Sequence, residues 1–307
     1  MGSELLRLFR EELRLLRSEG AEGIMLSDEA LQGLRRVVRP ETAAAAAPGA
    51  RSRPRGAPSP PRGAAERLPE AAPGPEKKPA PVASPSLPPP PELTLPGGGK
   101  RERWEHLRKA VLSCPTCREN LNPGKKVVFG TGSLDARIFF CGEAPGAEEE
   151  TAGEPFVGEA GKLLNGMIAA MGLKREEVYI GNIMNWRPRT GNSFGNRPPT
   201  GDEMAFCLPY LKAQIAIVQP EVIVALGGTA TKGLLGIETK GKMARLRGGW
   251  REFGGVPLMI TYHPSFLLYN ESIARKRKVW EDLLSVMDRL EMPVSEKQRN
   301  YFLAALR

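Results

Sequence analysis

No stretch of 18 consecutive apolar residues occurs in the 307-residue sequence, which excludes a helical membrane span. Cysteine is scarce. Cys114, Cys117, Cys141 and Cys207 are too few and too scattered for a disulfide framework, so a reducing compartment is expected. The N-terminal residues lack the basic-then-apolar order of a secretion signal, because charged residues interrupt Leu5 to Leu16 every second or third position. A soluble, cytoplasmic protein is therefore expected. Aromatic residues make up 6% of the chain, and between Pro40 and Pro96 there are none, nor any cysteine. Those 57 residues hold 17 of the 29 prolines together with alanine, arginine and lysine. With so little apolar surface to offset chain entropy, they are expected to form an extended, unstructured linker.

Organisation follows from this gap. Residues 1–39 are read as an amphipathic helical segment, with Leu5, Leu6, Phe9, Leu13 and Leu16 near helical spacing and a second piece running from Ser27 to Val38. Two readings stay open for it: docking onto another protein, or folding back onto the main domain. Residues 40–99 form the linker, 100–293 the main folded domain, and 294–307 a C-terminal tail with helical character. The 44 basic and 35 acidic side chains divide as 15 and 12 up to residue 100, then 29 and 23 beyond it. A surplus of six positive charges on the folded part is compatible with a polyanionic partner without demanding one.

The folded part alternates strand and helix. Strands are expected at 137–141, 178–181, 221–226 and 256–262. Helices are expected at 101–112, 158–171, 200–218, 229–235 and 275–290, the third opened by a capping box of Thr200 and Glu203. No internal repeat interrupts the pattern. It implies a three-layer α/β/α fold around a central four-stranded, mostly parallel sheet. Ligands of such sheets bind beyond the carboxyl ends of the strands. There the chain carries Gly142-Glu-Ala-Pro-Gly146, Asn182-Ile-Met-Asn-Trp-Arg-Pro188, Gly227-Gly-Thr-Ala230 and His263-Pro-Ser265. Each segment alone is weak. A Gly-Glu-x-Pro-Gly loop is more often only a turn, and two glycines opening a helix lack the lysine of a phosphate-binding loop.

Taken in order, these segments resemble the uracil-DNA glycosylase superfamily, most closely its family 4 branch, over roughly residues 101–291. The resemblance is carried by Cys114-x-x-Cys117, Val128-Phe-Gly130 and Gly142-Glu-Ala-Pro-Gly-Ala-Glu-Glu-Glu150. It continues through Gly153-Glu-Pro-Phe-Val-Gly158, Gly161-Lys-Leu-Leu164, Tyr179-Ile-Gly-Asn-Ile183, Arg247-Gly-Gly-Trp250 and Thr261-Tyr-His-Pro-Ser265. It implies an enzyme that flips uracil out of DNA and hydrolyses its N-glycosidic bond, starting base-excision repair, in a monomeric protein associated with the nucleoid. By similarity Phe156 stacks on the flipped base, and the Asn182 amide reads the uracil edge as both donor and acceptor. His263 donates toward the carbonyl where negative charge builds, and Glu143 orients water or stabilises the cationic sugar. Ala144 contributes backbone amides. Glu150 and Ser265 belong to the substrate-binding set. Leu267 and Leu268 press on the DNA, and Arg245, Arg247 and Arg275 contact phosphates.

The chain departs from the family in three places. Family 4 members hold a 4Fe-4S cluster on four cysteines, of which Cys114, Cys117 and Cys207 match and Trp186 takes the remaining position. A cluster is therefore expected to be absent, and none is needed for the catalytic roles above. Alanine stands at 144, where the best-known branch has aspartate. Residues 240–247 contain no histidine, so the covalent trapping of a sibling branch is not expected. Alternatives are a glycosylase for other deaminated bases, or a catalytically weak DNA-binding or polymerase-associated module.

Overall fold

A computed structural model describes residues 87–189, 197–236, 243–268 and 272–303. The expectations for residues 1–39 and for the linker up to residue 86 lie outside the described residues.

The sheet is built from β1 (Thr131–Gly132), β2 (Ile138–Gly142), β3 (Tyr179–Asn182), β4 (Val222–Leu226), β5 (Trp250–Phe253) and β6 (Val256–Thr261), in the order β1-β3-β2-β4-β6-β5. The four inner strands β3-β2-β4-β6 are parallel and are the four expected from the sequence. The expected four-stranded sheet is thus extended to six by antiparallel edge strands, β1 against β3 and β5 against β6. The β5–β6 hairpin turns on Gly254-Gly255, both at positive φ.

The helices are α1 (Lys100–Ser113), α2 (Pro115–Glu119), α3 (Ala147–Ala152), α4 (Glu159–Ala170), α5 (Gly201–Val218), α6 (Gly227–Leu235), α7 (Met243–Leu246), α8 (Pro264–Leu268), α9 (Ile273–Arg289) and α10 (Glu296–Arg299). Thr200 caps α5, accepting from the Glu203 N–H, while the Glu203 carboxylate accepts from the Thr200 N–H at 2.7 Å.

Strand alternation separates two apolar layers. Phe139 and Cys141 of β2, Ile223 and Ala225 of β4, and Leu258 and Ile260 of β6 face the core shared with α1, α2, α5 and α6. Their neighbours Ile138, Phe140, Val222, Val224 and Met259 face the other core, closed by α4, α8 and α9. Both faces of the inner strands are buried, as their continuous apolar runs require. Each fully buried aliphatic or Phe side chain here stabilises by roughly 1.5–3 kcal/mol. Leu87, Leu93 and Leu95 pack against the first core. At the other end, Tyr301 lies on Trp280 at 5.2 Å, and Gln298 donates to the Ala170 carbonyl at 2.9 Å, fastening α10 to the second layer.

Between β2 and β4 the chain changes direction: α4 follows β2 on one face and α6 follows β4 on the other. Such a switch opens a crevice beyond the carboxyl ends of the strands.

Candidate functional site

That crevice is a cleft of about 410 Å³. The loop after β2 supplies Glu143 and Ala144, β3 ends in Asn182, and the loop after β6 supplies His263, Ser265 and Leu268; Phe156 closes one wall. Gly142 and Asn182 are paired in register on neighbouring strands. A Cβ on Gly142 would stand 2.4 Å from Asn182 Oδ1 and 2.6 Å from the Phe156 ring, so only glycine lets these groups converge.

Asn182 is 7% exposed, and its Oδ1 is buried without a hydrogen-bond partner. An unpaired buried carbonyl costs about 1–3 kcal/mol, a cost removed when a ligand donor reaches it. Phe156 holds φ at +54°, in the left-handed region, and its ring centroid lies 5.6 Å from that of His263. A bulky residue there carries strain on the order of 1–3 kcal/mol and is kept only where the surroundings enforce it.

His263 Nδ1 accepts from the Ser265 backbone N–H at 3.2 Å and lies 2.8 Å from the Ser265 hydroxyl. An Nδ1 that accepts a backbone proton must be unprotonated, which places the neutral ring's proton on Nε2. Burial pulls the imidazole down to about 4, so the ring is neutral at physiological pH. The same desolvation raises the Glu143 carboxyl above the ordinary carboxylate range, opposed by the Thr229 hydroxyl and by Lys232. Two titratable groups in one cleft are thus pushed in opposite directions, as acid–base and electrostatic sites require.

Seven of the residues singled out in the sequence meet in this cleft: Glu143, Ala144, Phe156, Asn182, His263, Ser265 and Leu268. Others do not. Glu150 is 2% exposed, pairs with Arg187 at 2.9 Å and accepts from Asn122 at 2.7 Å, and it is not among the residues that line the cleft. Its neighbour Glu149, which the sequence reading passed over, lines the cleft and accepts from the N–H groups of Val157 and Gly158, both at 3.0 Å. Leu267 is 3% exposed and belongs to the core, so of the two leucines only Leu268 faces the cleft. Arg247 is ion-paired with buried Asp282, its Nε donating to Oδ2 at 3.0 Å, so the fold already holds its guanidinium. Arg245 is exposed on α7. The Arg275 guanidinium lies 5.0 Å from the Phe266 ring, which stacks on Tyr262 at 4.6 Å, and its Nη1 is buried without a partner. Arg187 and Arg197 were also missed and line the cleft.

Cys114, Cys117 and Cys207 are free and buried in one core with Trp186. A hydrogen bond from the Cys117 thiol lowers Cys114 to about 5, whereas burial raises Cys207. Trp186 is fully buried, its ring 6.0 Å from Phe206 and its Nε1–H unpaired. An indole is a donor only and offers no ligand where a fourth thiolate would be needed. Among the described residues no group of three or more His, Cys, Asp or Glu side chains converges so as to hold a metal ion. The residues present do not fit a four-thiolate cluster. Nor is any described helix long and apolar enough to cross a membrane.

Comparison with known proteins agrees with this geometry. The chain is 42% identical over 185 residues to a type-4 uracil-DNA glycosylase of Thermotoga maritima, an alignment covering 60% of this chain and 93% of that protein. Type-4 uracil-DNA glycosylases of Sulfurisphaera tokodaii and Archaeoglobus fulgidus are each 36% identical, over 65% and 56% of this chain and 90% and 86% of theirs. Residues 129–284, from Phe129 to within α9, match the uracil DNA glycosylase superfamily. The chain belongs to that superfamily, in its type-4 branch.

Proposed function

We propose that the protein excises uracil from DNA by hydrolysing the N-glycosidic bond, starting base-excision repair. The observation that carries this reading is the unpaired Oδ1 of Asn182, a residue that lines the cleft together with Phe156 and His263. Uracil presents an N3–H beside O4. The Asn182 carbonyl accepts the former and its NH₂ donates to the latter, satisfying the buried oxygen. Cytosine has an acceptor at N3 and donors at N4, so it would leave both Asn182 groups facing their own kind, the strong form of discrimination.

Phe156 stacks on the extruded base, and binding there offsets the few kcal/mol lost on unstacking it. As the C1′–N1 bond breaks, both electrons go to the uracil ring and negative charge spreads onto O2. The Nε2–H of neutral His263 donates to O2, with backbone N–H groups beside Ala144 assisting, in a site where water is largely excluded. A water oxygen bonds to C1′, and the ionised Glu143 orients that water and takes its proton. Leu268 fills the space the base vacates, and Arg245 and Arg275 meet phosphates. No step needs a metal, and Trp186 is proposed to fill the corner that the cluster occupies in relatives.

The glycosylase domain is assigned to residues 100–293 and acts as a cytoplasmic monomer at the nucleoid. Residues 294–307 are its tail, 40–99 its linker, and residues 1–39 a docking segment for a partner protein. The test is release of free uracil and an abasic strand from a uracil-containing oligonucleotide by the full chain. Wild-type protein is expected to give both. If it gives neither, or if Asn182→Ala and His263→Ala proteins keep the wild-type rate, the assignment is wrong.

A further inference from the structure

We propose that Arg175, on the 3-10 turn Arg175–Glu177, is a positioning residue that holds Phe156 in place through the carbonyl of Pro155. The inference rests on the reading of Phe156 as the platform for the extruded base.

Phe156 sits at φ +54°. Left alone, an aromatic residue leaves that region for a relaxed backbone, and its ring then no longer faces the cleft. The loop around it is held from several sides. Arg175 Nη2 donates to the Pro155 carbonyl at 2.6 Å, and Arg175 Nη1 donates to Asn165 Oδ1 on α4 at 2.8 Å. The guanidinium is thus anchored to a rigid helix on one side and grips the loop with the other, a two-pronged task suited to its planar fork. Across the loop, Glu149 Oε1 accepts from the Val157 and Gly158 N–H groups. Beneath it, the Phe156 backbone presses on α4 at Gly161, where a Cβ would stand 1.9 Å from the Phe156 carbonyl oxygen.

Arg175 is half-buried and does not line the cleft. Its effect on the reaction must therefore pass through the loop and not through the base. Two consequences follow. Removing it should slow the chemistry of a bound, flipped base more than it weakens DNA binding, and the slowing should vanish once Phe156 is gone.

The experiment is a double-mutant cycle read by single-turnover excision with the full-length chain. Its members are wild type, Arg175→Ala, Phe156→Leu and the double variant, acting on a uracil-containing duplex over a range of enzyme concentrations. Each single variant is expected to lower the maximal rate about tenfold, the size of effect that misplacing a contact by a fraction of an ångström produces. The double variant should be no more than about twofold slower than Phe156→Leu alone, the signature of two residues acting as one. The half-saturating enzyme concentration should move less than the rate. Arg175→Lys, which keeps the charge and loses the fork, should resemble Arg175→Ala.

If Arg175→Ala proves too unstable to assay, Asn165→Ala releases the second anchor while leaving Arg175 in the chain. About threefold slowing is then expected, again only when Phe156 is present. Multiplying effects, or an unchanged rate in the Arg175 or Asn165 variants, would overturn the proposal while leaving the role of Phe156 intact. A Phe156→Leu protein as fast as the wild type would instead overturn the reading of Phe156, and the proposal with it.

Discussion

Asn182 and Trp186 stand four residues apart at the end of β3 and in the loop after it, and each keeps one buried polar atom without a hydrogen-bond partner. The two atoms have different meanings because different things can reach them. Asn182 lines a cleft beside a residue with a strained backbone, a neutral imidazole and a desolvated carboxyl. Trp186 Nε1 is sealed in the core, where the indole ring lies against Phe206. The first cost is recovered when substrate binds, whereas the second is carried permanently in exchange for filling the space with apolar surface. A buried orphan atom points to function where a ligand has access and other costs accumulate around it, and to a packing compromise where neither holds.

Substitution at either residue separates the two kinds of orphan atom. Asn182→Ala should lower the single-turnover rate by about a hundredfold or more while leaving the unfolding midpoint unchanged or raised, since it removes an unsatisfied buried group. A loss of activity matched by a loss of fold would remove the distinction.

Glu143→Gln comes next, with about a hundredfold loss in rate, the ordinary contribution of a positioned base. Because the folded-state pKa of Glu143 is raised, the ionised form costs stability, and that cost appears as pH rises through and above the ordinary carboxylate range. The Gln variant should therefore melt higher than wild type at pH 7 and no higher at pH 4, as thermal unfolding at both values would show. His263 titrates near 4, so the rate of the wild-type enzyme should show no inflection near 6.5. Its acid limb should instead follow Glu143, above the usual carboxylate range.

The two leucines of α8 separate packing from function in the same way. Leu267→Ala should destabilise the domain by about 2–4 kcal/mol, because it empties a core site. Leu268→Ala should keep the wild-type denaturation midpoint and slow excision by a few fold, on the order expected for a lost wedge contact. The smallest effect belongs to Trp186→Phe. It removes the orphan donor and some volume together, so stability should change by no more than about 1–2 kcal/mol and the excision rate should stay unchanged. Iron and sulfide analysis of wild-type protein purified anaerobically should find neither in stoichiometric amount, and chelators should leave the rate as it was.

Much of this was legible in the sequence because the signals were local. β2 and β4 are continuous apolar runs, and the Thr200–Glu203 cap is a four-residue pattern. Glu143, Ala144, Asn182 and His263 stand at the ends of strands or directly after them, so strand order brings them together, whereas Phe156 reaches the cleft from the segment between α3 and α4. The edge strands were not legible: β1 has two residues, and Trp250-Arg-Glu-Phe253 is half-exposed with no apolar run, although Gly254-Gly255 marks its turn. Side-chain direction within one turn of helix was equally hidden, which is why Leu267 and Leu268 could not be told apart. Arg247 reads as a surface cation until Asp282, 35 residues away, is brought against it. Arg175 carries no motif, and its role exists only through the long-range contacts that the fold creates.

The most direct test is release of free base by wild-type and Asn182→Ala proteins from two duplexes that differ only in uracil or cytosine at one position. Single-turnover conditions isolate the chemical step. The expected outcome is rapid release of uracil by the wild type, none of cytosine, and loss of uracil release by about a hundredfold in the variant. Equal rates for the two proteins, or release of both bases by the wild type, would contradict it, because the unpaired oxygen of Asn182 would then not be what reads the base.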